Sequence, residues 1–167
     1  VYIEYEEVCK NDNLVDFGEL LLKSYEVIKE NELVKEFFHS RFKSVLVDEF
    51  QDTNTIQYKW LLEITSKNAS ITAVGDDDQS IYGWRGAKVE NVDDFTKHFK
   101  DTEVIKLEQN YRSTNVILGA ANAVIDNNSD RLGKNLWTDK KEGEEIILYQ
   151  AYNCLLYTSP SPRDGTK

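Results

Sequence analysis

The chain has 167 residues, of which 40% are hydrophobic and 30% charged, which is the composition of a globular domain rather than a disordered segment. Its apolar runs are too short to cross a bilayer and its acidic amino terminus is unlike a secretion signal, so we expect a cytoplasmic protein with no membrane partner. Two distant cysteines, Cys9 and Cys154, argue against a zinc site and a disulfide framework. The net charge of −10 counts against a nucleic-acid binder, although stacking of unpaired bases on aromatic rings requires few cations.

Hydrophobic periodicity predicts alternating helices and strands. The predicted elements are, in chain order, helices at 14–30 and 33–42, a strand at 45–48, a helix at 56–64 capped by Thr53 or Asn54, a strand at 71–75, a helix at 89–99 and a strand at 103–107. The order strand, helix, strand, helix, strand is typical of a parallel sheet with right-handed crossovers, so the predicted fold class is α/β. Farther along, Thr114 can cap a helix that ends near residues 127–128, and a strand is predicted at 146–149.

Two adjacent carboxylates follow the first predicted strand. Asp48 and Glu49 come after the apolar-ending run 44–47, at the carboxyl end of a strand, where α/β sheets collect their ligands. ATP hydrolysis needs one carboxylate that holds hydrated Mg²⁺ and another that polarises the attacking water. We assign Asp48 to the metal and Glu49 to the water. Glu49 is also a candidate metal ligand beside Asp48. An isolated acidic pair would more often be a solvated turn that caps the next helix.

The second predicted strand leads into residues 75–79, which end in a neutral amide, and then into a glycine-punctuated aromatic segment. The amide of Gln79 can donate to a γ-phosphate and accept from a water, although a polar loop alone would give the same pattern. Tyr82, Trp84 and Arg85 lie between glycines, and exposed aromatic rings beside a guanidinium suit stacking of unpaired bases. Burial of the two rings in the core is the alternative, since large aromatic side chains are mostly buried.

A lone cation follows the third predicted strand. Arg112 lies in the string 109–114, and an arginine delivered across a cleft can stabilise the transferring phosphoryl group as an arginine finger. A surface salt bridge is the alternative. No Gly-x-x-x-x-Gly-Lys-Ser/Thr phosphate loop occurs in the chain, so we expect this chain by itself to be inactive as an ATPase.

Residues 48–52, 74–87 and 107–114, in this order, resemble the UvrD/Rep/PcrA group of superfamily 1 DNA helicases. The resemblance implies a RecA-like parallel sheet flanked by helices, of the P-loop NTPase type and incomplete here, with the start of a second RecA-like domain. It implies ATP and Mg²⁺ as cofactors, and 3′ to 5′ movement on single-stranded DNA and at duplex junctions, in repair or replication near the nucleoid.

The resemblance also gives each matched residue a role. Gln79 corresponds to the phosphate sensor, and Tyr111 stacks on the adenine. The matches to Tyr82 and Trp84 touch single-stranded DNA, while the match to Arg85 couples that contact to the ATP site. Gln51 and Asp52 help to link the nucleotide state to neighbouring loops. Nucleotide binding thus falls to Asp48, Gln79, Tyr111 and Arg112. We expect the acidic pair Asp48 and Glu49 to converge with Gln79 and Arg112 on one triphosphate-sized gap.

The predicted domains follow from the same resemblance. Residues 1–11 end an inserted helical subdomain, 12–108 belong to the first RecA-like domain, and 109–153 open the second. Residues 154–167 carry both prolines and no hydrophobic period, and we hypothesise that this tail is a cloning or assembly remnant. Because the chain begins at Val1 and contains no methionine, we interpret it as an interior piece. Two rivals stay open: the helicase subunit of a recombination nuclease, and a non-enzymatic nucleotide- or DNA-binding module.

Overall fold

A computed structural model describes residues 1–128, 133–140 and 142–148. The chain divides into two compact units, Val1–Val104 and Ile105–Lys167. None of the helices in these described ranges is both long enough and apolar enough to span a membrane.

The first unit contains five helices and two strands among its described residues. The helices and strands are α1 (Tyr2–Asn11), α2 (Phe17–Glu30), α3 (Glu32–Arg41), β1 (Ser44–Val47), α4 (Thr55–Ile64), β2 (Ser70–Ala73) and α5 (Glu90–His98). Short 3-10 turns at Phe50–Asp52, Asp77–Gln79 and Gly83–Arg85 lie in the connections.

Side-chain caps set the beginnings of several helices. The carboxylate of Asp16 accepts a hydrogen bond from the Glu19 amide at 2.7 Å and so caps α2. Of the two cap residues predicted for α4, Asn54 is the N-cap, and it forms a reciprocal capping box with Gln57. Such caps satisfy backbone amides that have no partner inside the helix. The cap at Asp16 makes α2 begin at Phe17 rather than at residue 14 as predicted, whereas the start of α4 agrees with its predicted cap.

The two strands pair in parallel, with Ser44 opposite Ser70 and Val47 opposite Ala73. The face of this sheet that carries Val45, Val47, Ile71 and Ala73 packs against the core. That core is a cluster of buried side chains, namely Ile28, Phe50, Tyr58, Leu61, Ile64 and Phe95. Because parallel strands end at the same edge, the residues that follow Val47 and Ala73 are brought together there.

Two predicted strands are not found among the described residues. Residues 103–107 form no strand, and Val104, Ile105 and Leu107 are all more than 60% exposed. Residues 146–148 form none either, while Tyr149 lies outside the described residues. A strand requires a neighbour that accepts its backbone hydrogen bonds, and an apolar pattern alone does not supply that neighbour. The first unit is therefore α/β, and its described residues form one two-stranded parallel sheet rather than the three strands predicted.

The second unit contains α6 (Asn115–Ile125), which confirms the helix predicted after Thr114. Thr114 occupies the N-cap position, although its side chain makes no capping hydrogen bond. A single parallel bridge joins Gln109 to Trp137, with the Asn110 amide donating to the Trp137 carbonyl at 2.7 Å. This bridge fixes the segment that leads to Tyr111 and Arg112.

Candidate functional site

The acidic loop, residues 48–53, begins where β1 ends. Asp48 and Glu49 are both exposed, and Oδ1 of Asp48 accepts a hydrogen bond from the Glu49 amide at 3.0 Å. Glu49 has φ 50° and ψ 46°, a left-handed conformation that costs a residue with a Cβ about 1–2 kcal/mol. Such strain persists only where the surrounding structure holds it in place, and it is found most often at functional sites. Here it turns the chain directly into the 3-10 turn Phe50–Asp52.

Gln51 is a buried residue whose side chain stabilises the acidic loop by hydrogen bonds. Its side chain is buried, at 1% exposure, and both ends of its amide are used. Nε2 donates to Oε2 of Glu49 at 2.7 Å, and Oε1 accepts from the Asp76 amide at 2.9 Å. Gln51 therefore orients the predicted catalytic carboxylate and ties it to the loop that follows β2.

The Gln79 loop, residues 75–79, is organised by Asp76. Its carboxylate accepts hydrogen bonds from the Asp78 amide at 3.1 Å and from Nε2 of Gln79 at 2.5 Å. The backbone N–H of Gln79 also donates to the Asp76 carbonyl at 3.0 Å. The structure thus brings the two loops together through a continuous hydrogen-bonded path that runs from Glu49 through Gln51 and Asp76 to Gln79.

Close approach of the two loops depends on Gly75. A Cβ at this position would lie 2.8 Å from Oε1 of Gln51 and 3.2 Å from the Phe50 backbone nitrogen. The Phe50 amide donates to the Val74 carbonyl at 2.9 Å, which continues the pairing beyond the strand ends. The sequence pattern gave Asp76 and Gly75 no individual role, although a glycine at the end of a predicted strand is a signal for close backbone approach.

The aromatic turn, residues 82–86, is on the surface. Tyr82 is 36% exposed and Trp84 is 81% exposed, so neither ring belongs to the core. The ring centroids are 6.5 Å apart, and Cζ of Arg85 lies 5.5 Å from the Tyr82 centroid and 5.7 Å from that of Trp84. A guanidinium this close to both rings is attracted to their faces through cation–π interaction. Gly86, at φ 85°, ends the turn in a conformation that favours glycine.

The segment after the aromatic turn is hydrogen-bonded to the acidic loop. The Thr53 carbonyl accepts from the Lys88 amide at 3.0 Å and from Nδ2 of Asn91 at 2.8 Å. Asn54 and Ala87 form an antiparallel bridge beside these bonds. Asn91 is buried, at 4% exposure, and no sequence pattern had singled it out.

The oxygen atoms available at this edge of the sheet fit a hard cation. Asp48 and Glu49 offer exposed carboxylates, which are ligands that Mg²⁺ accepts together with water. Carboxylate oxygens of Asp76, Asp77 and Asp78 also lie within 4.8 Å of one another, but the Asp76 carboxylate is already hydrogen-bonded to Asp78 and Gln79. The donor set therefore agrees with a metal at Asp48 and Glu49, which stays a prediction.

In the second unit, the residues before α6 form a fixed turn. Oδ1 of Asn110 accepts from the amides of Arg112 and Ser113 at 2.9 and 2.7 Å. The Tyr111 hydroxyl donates to Oε1 of Gln109 at 2.8 Å, and the Tyr111 side chain is 75% exposed. Arg112 is exposed, and its guanidinium takes part in no ion pair within the described part of the chain. Its predicted convergence with Glu49 and Gln79 stays a prediction.

Comparison with known proteins covers nearly the whole chain. Residues 1–100 match the UvrD/REP helicase N-terminal domain, and residues 105–155 match the UvrD-like helicase C-terminal domain. The chain is 53% identical over 155 residues to DNA helicase II of Haemophilus influenzae and 54% identical over 155 residues to DNA helicase II of Escherichia coli. It is 43% identical over 151 residues to the ATP-dependent DNA helicase PcrA of Staphylococcus aureus.

These alignments include 93%, 93% and 90% of this chain, but only 21%, 22% and 21% of the respective relatives. The chain thus spans about a fifth of the length of the proteins that it matches. Both halves of the chain match domains of one group of proteins, and the first match alone extends over more than half of the residues. The chain therefore belongs to the UvrD/REP helicase family.

Proposed function

We propose that the full-length protein containing this chain is an ATP-dependent DNA helicase that couples hydrolysis of Mg-ATP to 3′ to 5′ movement on single-stranded DNA. Its relatives are named DNA helicase II and ATP-dependent DNA helicase PcrA, which supports this activity. The observation that carries the proposal is the hydrogen-bonded path from Glu49 through Gln51 and Asp76 to Gln79. We place its work at duplex junctions during DNA repair or replication, in the cytoplasm near the nucleoid.

The proposed architecture is RecA-like. Residues 1–11 would end an inserted helical subdomain, 12–108 would complete the first RecA-like domain, and 109–153 would open the second. The parallel pairing of β1 with β2 supports this assignment, because it puts the acidic loop and the Gln79 loop at the same sheet edge. The proposed non-native tail, 154–167, lies outside the described residues.

Each residue at the sheet edge has a distinct part in hydrolysis. Asp48, with Glu49 beside it, would hold Mg²⁺, which supplies neutralisation of phosphate charge when it is bound. The Glu49 carboxylate, oriented by Gln51, would accept a hydrogen bond from the attacking water and direct it at the γ-phosphorus. The Gln79 amide would donate to an oxygen of the γ-phosphate, so loss of that phosphate removes a hydrogen bond from this loop.

The second unit would complete the nucleotide site. Tyr111 presents an exposed ring on which an adenine can stack. Arg112 would donate to the transferring phosphoryl group, where a guanidinium stabilises charge in the transition state. The carboxamide of Asn110 holds the backbone of this turn, and so fixes the point from which the Arg112 side chain extends.

The aromatic turn would bind the DNA strand. Stacking of a base on Tyr82 or Trp84 contributes on the order of 1–3 kcal/mol and does not depend on sequence, which suits a motor that must pass every base. Arg85 lies close to both rings and would carry a shift of either ring toward the ATP site. Cleft closure on ATP and reopening after hydrolysis would move the turn along the strand.

The decisive test is Glu49→Gln in the full-length protein. The amide oxygen of the new glutamine can still accept from Nε2 of Gln51, so the loop geometry and ATP binding are retained. Loss of the carboxylate should lower the DNA-stimulated kcat by about 100-fold or more, the usual contribution of a general base. ATPase assays with and without oligo(dT), together with equilibrium binding of a fluorescent ATP analogue, measure both effects.

A matched control is Glu30→Gln, which makes the same change at an exposed glutamate at the end of α2 and should leave turnover unaltered. Turnover at the wild-type rate in Glu49→Gln would refute the role assigned to Glu49. Absence of any turnover in the wild-type full-length protein would support the non-enzymatic module, and DNA cleavage by it would support the recombination nuclease.

A further inference from the structure

We infer that Asn91 is a positioning residue that couples the aromatic turn to the acidic loop, so that DNA on the turn controls the setting of Glu49. This inference rests on the proposed function. It assigns Asn91 no contact with ATP or DNA; Asn91 acts through Thr53.

The side chain of Asn91 is hydrogen-bonded to the last residue of the acidic loop, Thr53. Nδ2 donates to the Thr53 carbonyl at 2.8 Å and lies 3.1 Å from Oγ1 of Thr53. Thr53 is in turn tied back to Phe50, because its amide and its hydroxyl donate to the Phe50 carbonyl at 3.1 and 2.7 Å. Since Phe50 directly follows Glu49, a displacement of Thr53 reaches the strained residue through one short turn.

The other side of this contact leads to the aromatic turn. Gly86 ends the turn, Ala87 bridges to Asn54, and the Lys88 amide donates to the same Thr53 carbonyl that Asn91 contacts. The Ala87 amide also donates to the Tyr82 carbonyl at 3.3 Å, which links the turn to this segment. The aromatic turn is therefore connected to Thr53 through backbone hydrogen bonds, and we expect a displacement of the turn to reach Thr53 by this route.

An apolar contact reinforces the polar one. Phe95 lies one helical turn after Asn91, on the same face of α5. Its ring packs edge to face on Phe50 with centroids 5.4 Å apart. Helix α5 thus contacts the acidic loop at two points, one at each end of the 3-10 turn.

The choice of asparagine at this position is informative. Burial of an amide is unfavourable unless its hydrogen bonds are made, whereas a leucine of similar size would fill the same space. Packing alone therefore does not require Asn91. Its specific contribution is a fixed direction for the Thr53 carbonyl, which sets the exit of the acidic loop.

The test uses Asn91→Leu in the full-length protein, with Thr96→Val as the matched control. Thr96 also lies on α5 and donates to a carbonyl, that of Asp93 at 2.9 Å, but this bond stays within the helix. The measurements are kcat and KM for ATP without DNA, kcat with saturating oligo(dT), the half-saturating oligo(dT) concentration, and the midpoint of thermal unfolding.

For Asn91→Leu we expect the stimulation of kcat by oligo(dT) to fall by about tenfold, which corresponds to loss of one coupling contact of ordinary strength. Basal kcat, KM for ATP and the half-saturating oligo(dT) concentration should stay within about twofold of wild type. Thr96→Val should retain full stimulation. A split of this kind separates coupling from stability, because a purely structural defect lowers basal and stimulated turnover together.

A second variant decides the matter if Asn91→Leu does not fold. Thr53→Val removes Oγ1, which accepts from Asn91 and donates to the Phe50 carbonyl, but it leaves the main-chain acceptor. We expect this variant to lower stimulation by about threefold. Where all variants fold, the double variant should be no worse than Asn91→Leu, because both substitutions interrupt one path.

The outcomes separate the inference from the proposed function. Full stimulation in Asn91→Leu, or in Thr53→Val where Asn91→Leu does not fold, overturns the role of Asn91 and leaves the helicase proposal standing. An equal fall in basal and stimulated kcat, or a rise in half-saturating oligo(dT) alone, also overturns it. A wild-type protein with no DNA-stimulated ATPase refutes the proposed function and the inference with it.

Discussion

Gly75→Ala is a steric test of the path between the two loops, because it adds one methyl group where the loops meet. That methyl would lie 2.8 Å from Oε1 of Gln51, closer than a Cβ normally approaches any atom. The two next nearest atoms, the backbone nitrogens of Phe50 and Gln51 at 3.2 and 3.3 Å, cannot rotate away. Gly75 does not have a positive φ, so alanine is not disfavoured by the backbone conformation itself.

The size of the effect follows from what must move. Gln51 is 1% exposed, so its amide has little free space, and a shift breaks the bonds to Oε2 of Glu49 and from the Asp76 amide. Overpacking in a filled interior costs about 1–3 kcal/mol, and leaving a buried polar group without its partner costs a similar amount. We expect a loss of about 2 kcal/mol at this site, equivalent to roughly a 30-fold change in an equilibrium.

Two measurements on the full-length protein should show this loss. DNA-stimulated kcat should fall by about tenfold or more, because Glu49 loses its orienting donor, and the thermal unfolding midpoint should fall as well. Gly119→Ala in α6 is the control: its added Cβ meets nothing within 4 Å, and helix propensity predicts a gain of up to about 1 kcal/mol.

The source of the effect can be tested with Gln51→Ala, which removes the amide that the new methyl contacts. If that contact is the main cause, adding Gly75→Ala to Gln51→Ala should cost much less than Gly75→Ala costs alone. Wild-type turnover and an unchanged midpoint in Gly75→Ala would show that the two loops do not depend on their close approach.

Three further changes test other parts of the site and fold. Trp84→Ala should raise the half-saturating oligo(dT) concentration by about tenfold, since one stacking platform is lost; an unaltered value would exclude Trp84 from the DNA surface. Arg112→Lys should lower kcat by about 1,000-fold or more with ATP binding largely kept; normal turnover would contradict the finger role. Hydrogen bonds from the Glu19 amide and, to a smaller extent, the Tyr5 hydroxyl hold the pKa of Asp16 below its usual value. The ionised cap therefore stabilises α2 fully at pH values above the unfolded-state pKa. That stabilisation is lost as the pH falls through the lowered folded-state pKa. Asp16→Asn should flatten that acid-side dependence of the unfolding midpoint; an unchanged slope would show that the cap does not contribute.

Local signals accounted for most of the elements. The helix α4 was predicted because Asn54 and Gln57 supply a cap that involves neighbouring residues alone. Strands β1 and β2 were predicted because short apolar runs end in polar loops. The strand at 103–107 was wrong because strand formation depends on a pairing partner elsewhere in the chain, and Leu107 is 78% exposed.

The same distinction explains what was missed at the site. Glu49 and Gln79 could be proposed from sequence because each lies in a string of residues with a recognisable order. The importance of Gln51 depends on Asp76, a residue 25 positions away, and that of Asn91 depends on Thr53, 38 positions away. A buried amide in a polar stretch has no periodic pattern, since its burial is decided by the segment that packs over it. Residues that connect motifs are therefore harder to identify than residues within motifs. Gln51 had a linking role only from the family resemblance and Asn91 had none, so substitutions at these two positions test connections that the structure defines.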